Sequence, residues 1–184
     1  MQWFIQNMLK NIIITATGSD KPGIVSDLTN IITNHGGNVE ESRMSRLGSD
    51  FAIIMLVSVS LDWEESLEVA LQSINDLTII TKSTKMQEER ECLKCQIDLS
   101  GADNEGIVKV LSKYLAEKSI NILDMQTHIS NAPVTGTPLF NLMAITTIPS
   151  NIDLSEIQSD LSLIAQKLGV EITVNQSENM VETV

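Results

Sequence analysis

The chain is short of positive charge. Only 12 of its 184 residues are Lys or Arg, against 24 Asp or Glu, and the net charge is −12. Affinity for nucleic acid rests on phosphate contacts, which need Lys and Arg. An acidic chain without a basic run is therefore a poor direct DNA or RNA binder, and it is equally unsuited to an anionic membrane. Long apolar runs are also lacking, and none would span a bilayer. The stretch Met1 to Lys10 has neither a basic head nor a small-residue cleavage site, so no signal peptide is expected. Two cysteines do not make a disulfide framework. The chain reads as soluble and cytoplasmic.

Catalytic patterns are lacking too. There is no phosphate loop, no nucleophile elbow and no clustered carboxylate pair, so no enzymatic activity, cofactor or metal is expected. Cys92 and Cys95 form Cys-x-x-Cys, a spacing used by redox and zinc sites. Zinc needs four ligands, and no second pair exists. The motif also lies in an expected strand, where residues three apart point to opposite faces. His35 falls at a helix end and His128 in a strand, with no joint partner.

What is present is organised around Gly18-Ser19-Asp20-Lys21-Pro22-Gly23-Ile24-Val25. Here an apolar run gives way to a helical pattern, which marks a strand–turn–helix junction. Asp20 is expected as the N-cap, accepting a backbone N–H two or three residues on. Pro22 offers no N–H, so Gly23 is the expected donor, and a glycine there also lets another molecule approach the backbone. The unpaired amides and the positive end of the helix dipole make a modest anion site.

The stretch recurs as Gly101-Ala102-Asp103-Asn104-Glu105-Gly106-Ile107-Val108, at an offset of 101 − 18 = 83. The same offset carries Leu28 to Leu111 and Asn38 to Asn121. The chain is a tandem duplication. Units of about 80 residues have modest cores, so packing against one another or a second copy is expected.

Each unit reads as strand, helix, strand, strand, helix, strand. In the first, strands are expected over 11–17, 38–47, 51–60 and 78–84, with helices over 23–35 and 63–77. Ile24, Leu28, Ile31 and Ile32 form one helical face, and Leu67, Ala70, Leu71 and Ile74 the other. Phe51, Ile53, Met55, Val57 and Val59 share one strand face. In the second unit, strands are expected over 91–100, 121–130, 140–148 and 171–175. Its helical stripes are Ile107, Val108, Leu111, Tyr114 and Leu115, then Leu154, Ile157, Leu161, Ile164 and Leu168. Phe51 aligns with Phe140, and 140 − 51 is 89, so six residues are inserted before the third strand, in a loop over 131–138. The boundaries are 10–85 for the first domain, 86–90 for a charged linker, 91–176 for the second domain and 177–184 for a frayed tail. Met1 to Met8 is an irregular lead-in. The βαββαβ order, with right-handed crossovers, gives α+β architecture: two ferredoxin-like sandwiches, each a four-stranded antiparallel sheet with both helices on one face.

Gly18, Asp20, Pro22, Gly23, Ile24, Val25, Gly37, Asn38 and Phe51 together resemble the motif of the ACT domain, a small regulatory module of amino-acid metabolism. Gly101, Asp103, Gly106, Ile107, Val108, Asn121 and Phe140 repeat it. Two modules and nothing else resemble the glycine cleavage system transcriptional repressor family, over about residues 10–176. The second copy departs from the pattern, with Glu105 for the proline and Ile120 for the glycine before the asparagine. A carboxylate at that loop opposes an incoming carboxylate, so the first loop is the better site.

The resemblance implies amino-acid binding at interfaces between modules. The expected ligand residues are Asp20, Pro22, Gly23, Ile24 and Asn38 in the first copy, and Asp103, Gly106 and Asn121 in the second. A free amino acid is a zwitterion. Its carboxylate suits the amides at Gly23 and Ile24, and its ammonium suits Asp20 or the side-chain oxygen of Asn38. The plainer readings stay open: Asp20 and Asp103 as caps only, Asn38 as a turn residue. The function implied is a non-enzymatic, amino-acid-responsive regulator, with glycine the first guess. It would act as a homodimer through a protein partner such as a DNA-binding regulator. A detached regulatory subunit of an enzyme, or an interaction module with no ligand, are the alternatives.

Overall fold

A computed structural model of the chain describes residues 9–85, 92–102, 104–132 and 136–176. The expected lead-in, the charged linker, the tail and Asp103 lie outside the described residues. The chain divides into two compact units, Met1–Glu88 and Glu89–Val184.

The first unit runs β1 (Leu9–Ser19), α1 (Ile24–Asn34), β2 (Asn38–Leu47), β3 (Asp50–Ser60), α2 (Leu61–Gln72) and β4 (Thr78–Thr84). The second runs β5 (Cys92–Ala102), α3 (Ile107–Glu117), β6 (Asn121–Asn131), β7 (Pro138–Pro149), α4 (Leu154–Leu168) and β8 (Val170–Gln176). Each unit has one four-stranded antiparallel sheet, ordered β2-β3-β1-β4 and β6-β7-β5-β8. This is the expected pair of ferredoxin-like βαββαβ sandwiches.

One sheet face and the helices make each core. Ile12, Ile14 and Ala16 of β1 alternate inward and meet Ile53, Met55, Val57 and Val59 of β3. Ile24, Leu28 and Ile32 of α1 close over them at every fourth residue, with Leu67 and Leu71 of α2. The second core repeats the pattern with Ile97, Leu99, Leu111, Leu115, Ile157 and Leu161. Val108 departs from its expected stripe and is 39% exposed.

Two segments differ from the sequence expectation. Helix α2 ends at Gln72, not Leu77. Asn75 and Asp76 are turn formers, and they break the backbone while Ile74 and Leu77 still pack on the core. The apolar spacing therefore outlasts the helix. The inserted loop is also shorter than 131–138, because Asn131 and Pro138 pair as the last rung of the β6–β7 ladder. Next to that rung Ala132 N–H donates to Thr137 C=O at 2.9 Å, and residues 133–135 of the expected loop lie outside the described residues.

The ends of α1 and α3 show what the duplication conserves. Gly36 follows the α1 cap at φ 67°, and Ser119 takes the same place after α3 at φ 57°. A side chain pays for that left-handed conformation where glycine does not. Ser119→Gly is expected to stabilise the second unit by about 0.5–1 kcal/mol. A urea midpoint that fails to rise would show that the serine side chain offsets the strain.

Candidate functional site

The β1–α1 loop is built on two glycines with different duties. Gly18 ends the inward row of β1, and a Cβ there would lie 2.3 Å from the Asp76 carbonyl oxygen. Gly23 is the N-cap of α1, with φ 97°. It was Asp20 that the spacing suggested as cap, and the structure corrects this. No side chain caps α1. The left-handed turn at Gly23 separates Asp20 from the helix start. Its carboxylate instead lies 3.8 Å from the Arg46 guanidinium, and its backbone N–H donates to Ser49 C=O at 2.9 Å. Lys21 pairs with Asp76. Pro22 is exposed. Ile24 is 4% exposed and belongs to the core, so only its backbone could meet a ligand.

Asn38 does not join this loop within the unit. It pairs with Ser58 of β3, which pairs with Asn11 of β1, whereas Gly18 pairs with Phe51 and Phe51 with Arg46. Asn11 and Gly18 are seven residues apart, roughly 23 Å along the strand. The asparagine and the loop thus stand at opposite ends of one sheet, too far for one amino acid to touch both. Asn38 has its own surroundings. Its Nδ2 donates to Glu40 Oε1 at 3.0 Å, and Ser58 Oγ donates to the same oxygen. These two donors, Ser58 first, hold the Glu40 carboxyl below its ordinary range. Because Nδ2 is engaged by Glu40, the Asn38 oxygen is the part suited to accept from an ammonium.

The second unit repeats the layout. Gly106 is the N-cap of α3 at φ 86°, again without a side-chain cap. Gly101 is crowded like Gly18, since a Cβ there would lie 2.8 Å from Val170 Cα. Asn104 Nδ2 donates to Leu168 C=O at 3.2 Å. Asn104, Glu105, Gly106, Ile107, Ser112 and Phe140 line an open cleft of about 660 Å³. Asn121 is exposed and pairs with Thr147 at the far end of the sheet, as Asn38 does in the first unit.

The ACT domain model matches this chain twice, over residues 10–82 and 95–175. The chain belongs to the ACT-domain family. The glycine cleavage system transcriptional repressor of Escherichia coli strain K12 is 22% identical over 168 residues, spanning 89% of this chain and 88% of the repressor. The crystal structure of an unknown protein from Galdieria sulphuraria superposes with a TM-score of 0.83 at 30% identity, over 92% of this chain and 99% of that one. A candidate glycine cleavage system transcriptional repressor of known structure gives 0.71 at 21% identity, over 94% of this chain and 99% of its own. At that identity the likeness shows the fold.

Sequence reasoning missed three polar residues beside the expected site of the first ACT domain: Arg46, Glu40 and Ser58. Arg46 reaches Asp20 only because of the β2–β3 register, and no local motif announces it. Glu40 sits where that register shifts, between Val39 and Glu41, so its carboxylate reaches both Ser58 and Asn38. The remaining chemistry-bearing residues stay apart. Cys92 is exposed and Cys95 buried, on opposite faces of β5 as expected, and burial pushes the Cys95 thiol up. His35 caps the C-terminus of α1, and His128 is exposed on β6. Among the described residues, no three His, Cys, Asp or Glu side chains gather as metal ligands, and no helix is long and apolar enough to cross a membrane.

Proposed function

We propose that this protein is a non-enzymatic regulator that senses a free amino acid and acts through a partner protein in the cytoplasm. The observation that carries this reading is the uncapped start of α1. Its first amides have no side-chain acceptor, and the loop that leads into them carries Asp20, paired with Arg46. A carboxylate suits the amides and Arg46, and an ammonium suits Asp20. The E. coli repressor, similar along most of its length, supports a role in controlling glycine cleavage, and makes glycine the first ligand to test. A net charge of −12 favours action through another protein over direct contact with DNA. In this reading Asn38 of one copy meets the loop of a second copy in a homodimer, since it cannot reach the loop of its own sheet. Asp103, Gly106 and Asn121 form the corresponding, weaker set.

A thermal-shift screen against the twenty amino acids tests the reading, because a ligand of the folded state raises the melting temperature by mass action. A selective rise with one amino acid is expected, and no rise with any of them would remove the sensor function. Asn38→Ala is then expected to weaken binding by roughly tenfold or more, the loss of one hydrogen bond to a charged group. Calorimetry that finds unchanged affinity would take Asn38 out of the site.

A further inference from the structure

We infer that the groove between the C-terminal end of α1 and α2 docks a protein segment that presents a lysine or arginine beside an apolar side chain. This rests on the reading that the protein works through a partner, and it names the partner's chemistry. His35, Asp62, Glu65, Ser66, Val69 and Ala70 line an open cleft of about 510 Å³. Trp63 stands at its edge, 48% exposed, with the His35 ring packed edge-on at 6.3 Å. Val69 is 69% exposed and Leu61 46%. Helix α2 carries four acidic residues. Glu64 is held by Lys10 and Glu68 accepts from Thr81. Asp62 and Glu65 meet no cation and no hydrogen-bond donor among the described residues.

The second ACT domain shows what completes such a place. Lys118 is the C-cap of α3, as His35 is of α1, and 118 − 35 is 83, the offset of the duplication. Lys118 reaches Glu156, and Asp160 at 3.0 Å, on α4, and its ammonium lies 6.0 Å from the centre of the Tyr114 ring. That domain supplies its own cation to two carboxylates and an aromatic ring. The first domain brings a ring and two carboxylates from other positions: Ile31 stands at Tyr114's place, Trp63, Asp62 and Glu65 all lie on α2, and a histidine stands where the lysine would be. What it lacks is one cation, and a partner's Lys or Arg head would meet Trp63 and the two carboxylates. The exposed Val69 and the floor at Ala70 would take the adjoining apolar side chain.

The test uses Trp63 as reporter in a Trp3→Phe background, which leaves it the only tryptophan. The full chain is titrated with the peptide acetyl-Leu-Arg-Leu-amide, and separately with acetyl-Leu-Glu-Leu-amide. Saturable quenching by the arginine peptide alone is expected. Asp62→Asn with Glu65→Gln is expected to weaken it roughly five- to tenfold, while Glu117→Gln with Glu171→Gln, the same charge removed elsewhere, leaves it within about twofold. Equal response to both peptides, no response to either, or an unchanged response in the Asp62/Glu65 variant would overturn the proposal. So would a sedimenting dimer that Trp63→Ala converts to monomer, since a second copy would then fill the groove. Amino-acid binding enters none of these readouts. Peptide binding without any amino-acid thermal shift would leave the docking surface standing and remove the sensor function.

Discussion

Gly18→Ala is expected to cost the first ACT domain about 3 kcal/mol, at the upper end for overpacking a rigid site. The added carbon would fall 2.3 Å from the Asp76 carbonyl oxygen and 2.8 Å from Leu77 Cδ2. The first of these is backbone, which cannot swing aside as a side chain can. Strand β1 cannot retreat easily either, because it is paired on both sides, with β3 and β4. Relief must come from moving the chain between α2 and β4, which would disturb Leu77 and Ile74 on the core. For a domain of this size, total stability is on the order of 4–12 kcal/mol, so the loss is a large share. It should appear as a fall of about 2 M in the urea midpoint of Trp63 emission, again in a Trp3→Phe background. Gly101→Ala should do the same to the second domain, where Val170 Cα stands 2.8 Å from the added atom. A loss below about 1 kcal/mol at either position would mean that the neighbouring chain yields.

The same pair of glycines shows how much of the fold could be read in advance. Their offset of 83 revealed the duplication, because the close approach of a neighbouring chain forbids any side chain in both copies. Alternation in β3 and the four-residue spacing of Leu28 and Ile32 are local, so those elements were legible. The candidate site was less so. Whether Asn38 lies beside Gly23 or at the far end of the sheet depends on strand register, which is a long-range property. Arg46 enters the loop's surroundings for the same reason. Asp20 looked like a cap because cap chemistry is local, yet a left-handed Gly23 moved the helix start away from it. The apolar spacing overstates α2, because Ile74 and Leu77 keep a helical spacing after the helix has ended at Gln72. The groove at Trp63 could not be foreseen from either copy alone. It stands out only when His35 and Lys118 are compared in place.

The only tyrosine of the chain, Tyr114, is expected to ionise late and to take part of the second domain's stability with it. Its side chain is buried between α3 and α4, and its hydroxyl donates to Asp160 at 3.2 Å. Burial first, then the charge of Asp160 and the hydrogen bond to it, push the phenol up to about 12. An unfolded tyrosine titrates near about 10. Between those values the folded chain keeps a proton that the unfolded chain has lost, so stability falls as pH rises, by about 1.4 kcal/mol per pH unit. The whole loss is of order 2–3 kcal/mol across that window. Lys118 acts in the same direction. Glu156 and Asp160 raise its pKa, so its contribution is present below the unfolded value and lost as pH climbs through the folded one. Asp160 acts at the other end. Hydrogen bonding to Lys118 lowers its pKa, and its contribution disappears as pH falls through the folded value. Tyrosinate absorbance reads the prediction directly, because no other residue contributes. The native midpoint is expected near 12, and the midpoint in denaturant near about 10. Asp160→Asn should bring the native midpoint down, by removing the charge that opposes tyrosinate. Tyr114→Phe should lose about 1 kcal/mol at neutral pH with its hydrogen bond, and should flatten the alkaline decline. The first domain has Ile31 in the corresponding place, since 114 − 83 is 31, and so has no phenol to ionise. If the native midpoint instead matched that in denaturant, the ring would be open to water, and the Lys118–Glu156–Asp160 cluster would not close over it.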